Sequence, residues 1–346
     1  MNESLARYAK QVLFREIGEE GQRRLLASSV LVAGCGALGT ALVEGLVRAG
    51  VGRVRLVDRD FVELSNLQRQ VLFDEEDVAS GLPKAIAAAN HLSRINRQVT
   101  VEPLVADIGP ENVLDLFDGM DLVLDGLDNF ETRFLLNDAS LETGIPWIYA
   151  GCLGGHGQTM PVLPGKTGCL RCLIDSPPDP GTAETCDTAG IIQPILSAIT
   201  ALQLTTAMKI LIGRGNEVEP VLTLVDVWEN THRKLSLGSS DARRDCPACG
   251  RGERSWLRGE RTARTSVLCG RNAVQITPAE RSSITLDDLA IRLAAVGTVT
   301  RNAFLLRVEP TGTDFQLTVF PDGRAIIKGT DDATTARAVY ARYIGV

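Results

Sequence analysis

Short apolar runs alternate with amphipathic stretches along the first half of the chain. Residues 29–33, Ser-Val-Leu-Val-Ala, form an apolar run closed by glycine, as a strand buried on both faces does. The pattern predicts a helix over 37–49, stopped by Gly50-Val51-Gly52, and a strand over 54–58. After a polar stretch, Pro83 opens a helix to about residue 95. Strand 99–104, helix 111–117, strand 121–125, helix 131–143 and strand 147–150 follow. This alternation predicts a doubly wound, mainly parallel α/β sheet covered on both faces. An amphipathic segment, read as one helix over 5–26, precedes it.

The pattern changes after residue 150. Residues 151–168 read as antiparallel strands, 175–190 carry turn chemistry, and a helix over 194–212 and a strand over 221–227 close the domain. Residues 238–264 are arginine- and glycine-rich and read as a linker. Beyond it, Leu286, Leu289, Ala290 and Leu293 share one helix face behind Thr285 as N-cap. Phe315, Leu317 and Val319 alternate, Pro321-Asp322-Gly323 reads as a hairpin turn, and 331–343 as a last helix. The expected organisation is therefore a main domain over 1–237, a linker over 238–264 and a small α+β module over 265–346.

Composition narrows the function. Lys and Arg number 36 against 43 Asp and Glu, a net charge of −7, which argues against broad nucleic-acid binding. No signal-peptide pattern opens the chain, and residues 191–212 read as too polar to span a membrane. A soluble cytoplasmic protein is expected, with no membrane and no nucleic-acid partner. Among 8 cysteines, Cys169-Leu-Arg-Cys172 and Cys246-Pro-Ala-Cys249 form two C-x-x-C pairs.

Gly34-Cys-Gly-Ala-Leu-Gly39 is a G-x-G-x-x-G between a strand and a helix. Its glycines, Gly34, Gly36 and Gly39, allow a tight turn and a close approach to phosphate at a helix N-terminus. Asp58 ends the next strand, where it can accept ribose hydroxyls. By itself this fits an NAD-dependent oxidoreductase, or a binding protein that keeps the fold without catalysis. Arg69, Gln70, Lys84 and Asp128 add cations, an amide and a carboxylate at neighbouring strand ends. That set suits a nucleoside triphosphate with Mg²⁺ better than a nicotinamide.

With Arg7-Tyr8, Asp58-x-Asp60, Ser65-Asn-Leu-Gln-Arg-Gln70, Lys84, Asp125-Gly-Leu-Asp128-Asn129 and both C-x-x-C pairs, the sequence resembles the MoeB/ThiF family, bacterial relatives of the ubiquitin-activating enzymes. The likeness covers about residues 5–250. It implies an ATP- and Mg²⁺-dependent adenylyltransferase acting on the C-terminal Gly-Gly of a ubiquitin-like sulfur-carrier protein, and a homodimer. It makes Asp58 a ribose ligand, with Asp60 and Gln70 beside it in the nucleotide site. Asn66, Arg69 and Lys84 become phosphate ligands, and Asp128 the Mg²⁺ ligand. Lys10 stands where the family usually has an Arg that reaches the partner protomer's ATP; Lys keeps the charge and loses the bidentate fork.

Four thiolates, Cys169, Cys172, Cys246 and Cys249, suit a closed structural Zn²⁺ site, although two independent redox pairs remain an alternative at this point. Cys186 resembles the family's loop cysteine, which in some members bonds covalently to the carrier and in others is dispensable; it reads as a sulfur-relay candidate or as a plain loop thiol, and a sulfur-donor protein is a further candidate partner. Cys35 reads as packing within the glycine loop, Cys152 and Cys269 have no sharp reading, and His91, His156 and His232 read as surface or structural. The module over 265–346 has no assigned role.

Overall fold

The structure, a computed structural model, describes residues 3–176, 189–236, 244–260, 265–268, 272–277 and 285–344. The chain divides into two compact units, 1–178 with 191–261, and 179–190 with 262–346.

The first unit is built on an eight-stranded sheet. In chain order its strands are β1 (Ser29–Ala33), β2 (Arg53–Val57), β3 (Thr100–Leu104), β4 (Leu122–Asp125), β5 (Trp147–Leu153), β6 (His156–Val162), β7 (Val221–Asp226) and β8 (Thr231–Ser236). Their spatial order is β3-β2-β1-β4-β5-β6-β7-β8. The β3 to β5 half is parallel and the β5 to β8 half antiparallel. The mainly parallel α/β architecture and its antiparallel extension thus match the expectation from sequence.

The strand period of two sorts β1 between two cores. Val30 and Val32 join Leu42, Leu46, Val54, Leu56 and Ile199 on one face. Leu31 and Ala33 join Phe117, Phe134, Trp147 and Tyr149 on the other. The helix Gln193–Leu211 is long and apolar enough to cross a membrane by length and composition. In this fold it packs on β4 to β7 and on the helix Ala37–Ala49, with Ile195, Ile199 and Ala207 buried.

Three segments depart from the sequence pattern. The continuous helix over 5–26 is instead a 3₁₀ turn Glu3–Tyr8, a short helix Ala9–Val12 and a helix Gly18–Ala27. The break follows from two glutamines meeting one carbonyl: Gln11 Nε2 and Gln22 Nε2 both donate to Ala49 O, at 3.0 and 2.9 Å. A straight helix cannot bring both there, so the chain folds back and leaves Leu13 and Phe14 exposed. Strand β8 has no signal in the sequence pattern, because all six of its residues are exposed and carry no apolar alternation. Finally, part of the stretch read as linker is built into the first unit. Trp256 is buried and stacks 5.3 Å from Phe134, and Asp138 Oδ2 accepts the Trp256 N–H at 3.0 Å.

The second unit is a six-stranded antiparallel sheet. Its strands are β9 (Thr265–Leu268), β10 (Ala273–Ile276), β11 (Gly297–Arg301), β12 (Leu306–Pro310), β13 (Gln316–Val319) and β14 (Ala325–Lys328), in the order β11-β12-β13-β14-β10-β9. Helices Leu286–Leu293 and Ala333–Tyr343 share one core with Val274, Leu306, Leu317 and Ile327.

Candidate active site and metal centre

The parallel strand order reverses between β1 and β4, which opens a crevice at their carboxyl ends. Three glycines lock its floor. A Cβ on Gly39 would stand 1.9 Å from Gly34 O, and one on Gly34, where φ is +92°, would stand 2.7 Å from Gly126 O. Gly126 in turn would meet Gly34 O at 2.7 Å and Gly39 Cα at 2.9 Å. Gly36 differs: a Cβ there meets only Gly126 O, at 3.8 Å. Protein packing therefore does not require glycine at 36, yet this residue caps the helix Ala37–Ala49, whose free N–H groups face the crevice.

Asp58 lies directly after β2. Its Oδ2 accepts Cys35 N–H at 2.6 Å and its Oδ1 accepts Asp60 N–H at 2.7 Å, so the carboxylate is held against the glycine loop. Burial pushes the Asp58 carboxyl above its ordinary value, and the Lys84 charge opposes that rise. The Cys35 thiol is raised further by burial and by Asp58, which makes it a poor nucleophile. Lys84 opens the helix Lys84–Ile95 and is buried; its Nζ lies 3.4 Å from Asp60 Oδ2, and its backbone N–H donates to Asp60 O at 2.9 Å.

The Ser65–Gln70 stretch forms a tight turn. Asn66 is buried and its Oδ1 accepts Glu63 N–H at 3.1 Å, so this oxygen closes the turn. Arg69 is half-buried and Nη1 donates to Ser65 O at 2.8 Å. Gln70 is buried, and its Oε1 has no hydrogen-bond partner among the described residues. Asp128 stands exposed after β4, next to Asn129, whose Oδ1 caps the helix Phe130–Thr143 through Thr132 N–H. The shelf carrying Asp128 is fixed from below: Asp125 is fully buried, accepts Arg133 Nε at 3.1 Å, and accepts Leu127 N–H at 2.9 Å.

Two residues that sequence reading missed complete the acidic side. Arg59 Nη1 lies 3.0 Å from Asp107 Oδ1 and its Nε 3.9 Å from Asp60 Oδ1. Burial disfavours the Arg59 charge, but Asp107, Asp60, Asp128 and Asp58 together outweigh that and hold it protonated. No spacing rule joins positions 59 and 107; they meet because β2 and β3 are neighbours. Lys10 does not join this group. It is exposed, beside Gln11, which is bonded to Ala49 at the far end of the helix whose N-cap is Gly36.

The arrangement fits a nucleotide on observations of its own. Gln70 Oε1, without a hydrogen-bond partner among the described residues, the packing-free glycine at 36 and the buried Lys84, whose charge acts on Asp58, supply an acceptor, a cradle and a cation.

The four cysteines converge elsewhere in the first unit. Cys169 Sγ lies 4.0 Å from Cys172 Sγ and 3.7 Å from Cys246 Sγ, and Cys172 Sγ lies 3.4 Å from Cys249 Sγ. All four sulfurs lie within 4.8 Å of one another. Zn–S bonds of about 2.3 Å at tetrahedral angles give sulfur–sulfur edges of about 3.8 Å, so the donor set fits zinc. Mutual hydrogen bonding pulls the Cys172 thiol down to about 7 and drives Cys246 lower still, while Cys169 and Cys249 are raised. Cys186 and Cys269 lie outside the described residues. Asp74, Asp77 and His91 also gather, but their oxygens and ring nitrogens are engaged in capping a short helix and in contacts with one another and Arg94.

Fold and crevice together define a doubly wound α/β protein with a charged switch-point cleft and a four-cysteine clip. The chain belongs to the ThiF family, whose model matches residues 8–248. It is 44% identical over 98% of its length to the sulfur carrier protein ThiS adenylyltransferase of Bacillus subtilis, covering 99% of that protein. It is 40% identical to a sulfur carrier protein adenylyltransferase of Thermus thermophilus, over 72% of this chain and 92% of that one. Among solved structures, Escherichia coli MccB aligns with a TM-score of 0.61 at 23% identity, over 72% of this chain and 73% of that chain, which shows the shared fold.

Proposed function

We propose that the chain uses ATP to adenylate the C-terminal glycine of a ubiquitin-like sulfur-carrier protein ending in Gly-Gly, releasing pyrophosphate. The observation that carries this reading is the near full-length likeness to a ThiS adenylyltransferase, supported by Asp58 bonded to the Cys35 N–H beside Gly36 and by Lys84 paired with Asp60.

The chemistry follows from charge. The carrier's terminal carboxylate is ionised at neutral pH and needs no general base. It attacks the α-phosphorus, and pyrophosphate leaves in line, so positioning and charge neutralisation supply the catalysis. Gly36 lets the phosphates approach the N-terminal N–H groups of its helix. Each Asp58 oxygen accepts one backbone N–H and keeps a lone pair for a ribose hydroxyl. Lys84 and Arg69 neutralise the phosphates, with Asn66, Gln70 and Asp60 beside them. Asp128 would hold the Mg²⁺ that screens the phosphate charge.

Lys10 belongs to another protomer's site in this reading. A helix of 13 residues is about 20 Å long, and Lys10 sits by its far end, so a homodimer is the arrangement in which Lys10 meets ATP. The four cysteines hold a structural Zn²⁺ that ties residues 246–249 to 169–172. Cys186 is proposed as the relay thiol that meets the acyl adenylate, with sulfur supplied by a donor protein, and the reaction is placed in the cytoplasm. The domain boundaries at about 237 and 265 are part of the same proposal.

The test is exchange of labelled pyrophosphate into ATP, with a carrier ending in Gly-Gly and with the same carrier lacking its last glycine. Exchange with the first and none with the second is expected. Absence of exchange with tight binding of NAD would replace this reading with an oxidoreductase, and absence of both with a non-catalytic binding protein.

A further inference from the structure

The Lys84 ammonium is committed before any nucleotide arrives. It is buried, at 3.4 Å from Asp60 Oδ2, and its own backbone N–H is bonded to Asp60 O at 2.9 Å. To face a phosphate, Nζ must leave Asp60. A carboxylate left behind in a largely desolvated cleft, next to Asp58, would be strongly unfavourable without another cation. The structure holds that cation in place. Arg59 Nε lies 3.9 Å from Asp60 Oδ1, while Lys84 Nζ lies 3.4 Å from Oδ2. The other end of the guanidinium is tethered by Nη1 to Asp107 Oδ1 at 3.0 Å. Asp107 is itself fixed, because that oxygen accepts Ile108 N–H at 3.1 Å and its carbonyl accepts Asn112 Nδ2 at 2.7 Å. Asp60 thus has two cations beside it, Arg59, which is anchored by Asp107, and Lys84, whose ammonium ends a flexible alkyl stem.

We propose that Arg59 is a positioning residue for nucleotide entry, taking over the Asp60 carboxylate as Lys84 turns from Asp60 to the ATP phosphates. This rests on the adenylation reading. No bond is made or broken in the exchange; one ion pair replaces another. A planar guanidinium hydrogen-bonded to Asp107 suits the anchored role, and a flexible ammonium the mobile one. Arg59 acts through Asp60, not on the nucleotide, and that separates it from Lys84.

The experiment is a double-mutant cycle in ATP·Mg²⁺ affinity, read by calorimetry on the full chain without carrier, so that no turnover enters. Arg59→Gln is expected to weaken ATP binding about tenfold, because Lys84 then leaves Asp60 without the Arg59 charge beside it. Asp60→Asn removes the charge that must be handed over, so Arg59→Gln in that background should cost about twofold or less. Arg59→Lys should recover most of the single-variant loss. If melting shows Arg59→Gln unfolded, Asp107→Asn replaces it, with a smaller loss that Asp60→Asn again suppresses. Equal losses in both backgrounds would overturn the proposal and make Arg59 a direct nucleotide contact. Unchanged affinity in Arg59→Gln would overturn it too. Failure of the unaltered chain to bind ATP would instead overturn the adenylation reading, and this inference with it.

Discussion

The buried carboxylate of Asp125 accepts Arg133 Nε at 3.1 Å, directly beneath the Gly126-Leu127-Asp128 shelf. The same guanidinium donates from Nη2 to Leu127 O at 2.6 Å and to Ala150 O at 2.8 Å, and it lies against the Phe130 and Tyr149 rings. One side chain therefore ties the loop after β4 to the middle of β5. Arg133→Met leaves a buried carboxylate without its cation, and a loss of about 3–5 kcal/mol is expected. Urea unfolding checks it; a change below about 1 kcal/mol would show that the pair is not what holds the shelf.

The cleft glycines are expected to separate into two kinds. Gly39→Ala places a methyl 1.9 Å from a carbonyl oxygen and should destabilise the fold by about 3 kcal/mol. Gly36→Ala meets nothing closer than 3.8 Å, so its melting midpoint should stay near that of the unaltered chain while ATP affinity falls. Thermal melting and calorimetry on both variants decide it. Unchanged ATP affinity in Gly36→Ala would remove the phosphates from that helix terminus.

The outline of this site was legible in the sequence because its parts are local: a strand, a glycine turn, a helix, repeated. What was hidden depends on tertiary neighbours. Arg59 and Asp107 pair across adjacent strands, and Arg133 is an ordinary helical position until β5 places Ala150 O above it. The polar edge strand Thr231–Ser236 has no buried face to give it a period. Trp256 lies in an arginine- and glycine-rich stretch whose composition says connector, yet its ring is buried against Phe134. The Asn66 side chain was assigned to phosphate by resemblance; its oxygen closes the turn through Glu63, which no motif states.

The segment carrying the second C-x-x-C pair is expected to report pH through Asp138. Its Oδ2 accepts the N–H groups of Trp256 and Leu257, at 3.0 and 3.4 Å, and burial raises the carboxyl above its ordinary value. The folded state then holds this proton more tightly than the unfolded chain does. The linked contribution to stability is greatest below the unfolded-state value and declines as pH rises through the raised folded value. Asp138→Asn should remove that decline, so the difference between the two melting curves should widen with rising pH and then level off. A pH-independent difference would contradict the assignment.

Zinc should copurify at one ion per chain. Cys246→Ser is expected to release it and to lower stability by several kcal/mol, since metal binding here is folding free energy. Elemental analysis finding no zinc in protein prepared without chelator would leave the four thiols as a redox cluster.

The central claim concerns which phosphorus is attacked, and the mass of the carrier after reaction reads that directly. Incubated with ATP and Mg²⁺, a Gly-Gly carrier should gain one adenylyl group at its C-terminus, with pyrophosphate released. Lys84→Ala and Arg69→Ala should each slow this by about 10²–10³. A carrier that gains a phosphoryl group with release of ADP, or one that stays unmodified while ATP is consumed, would contradict the account.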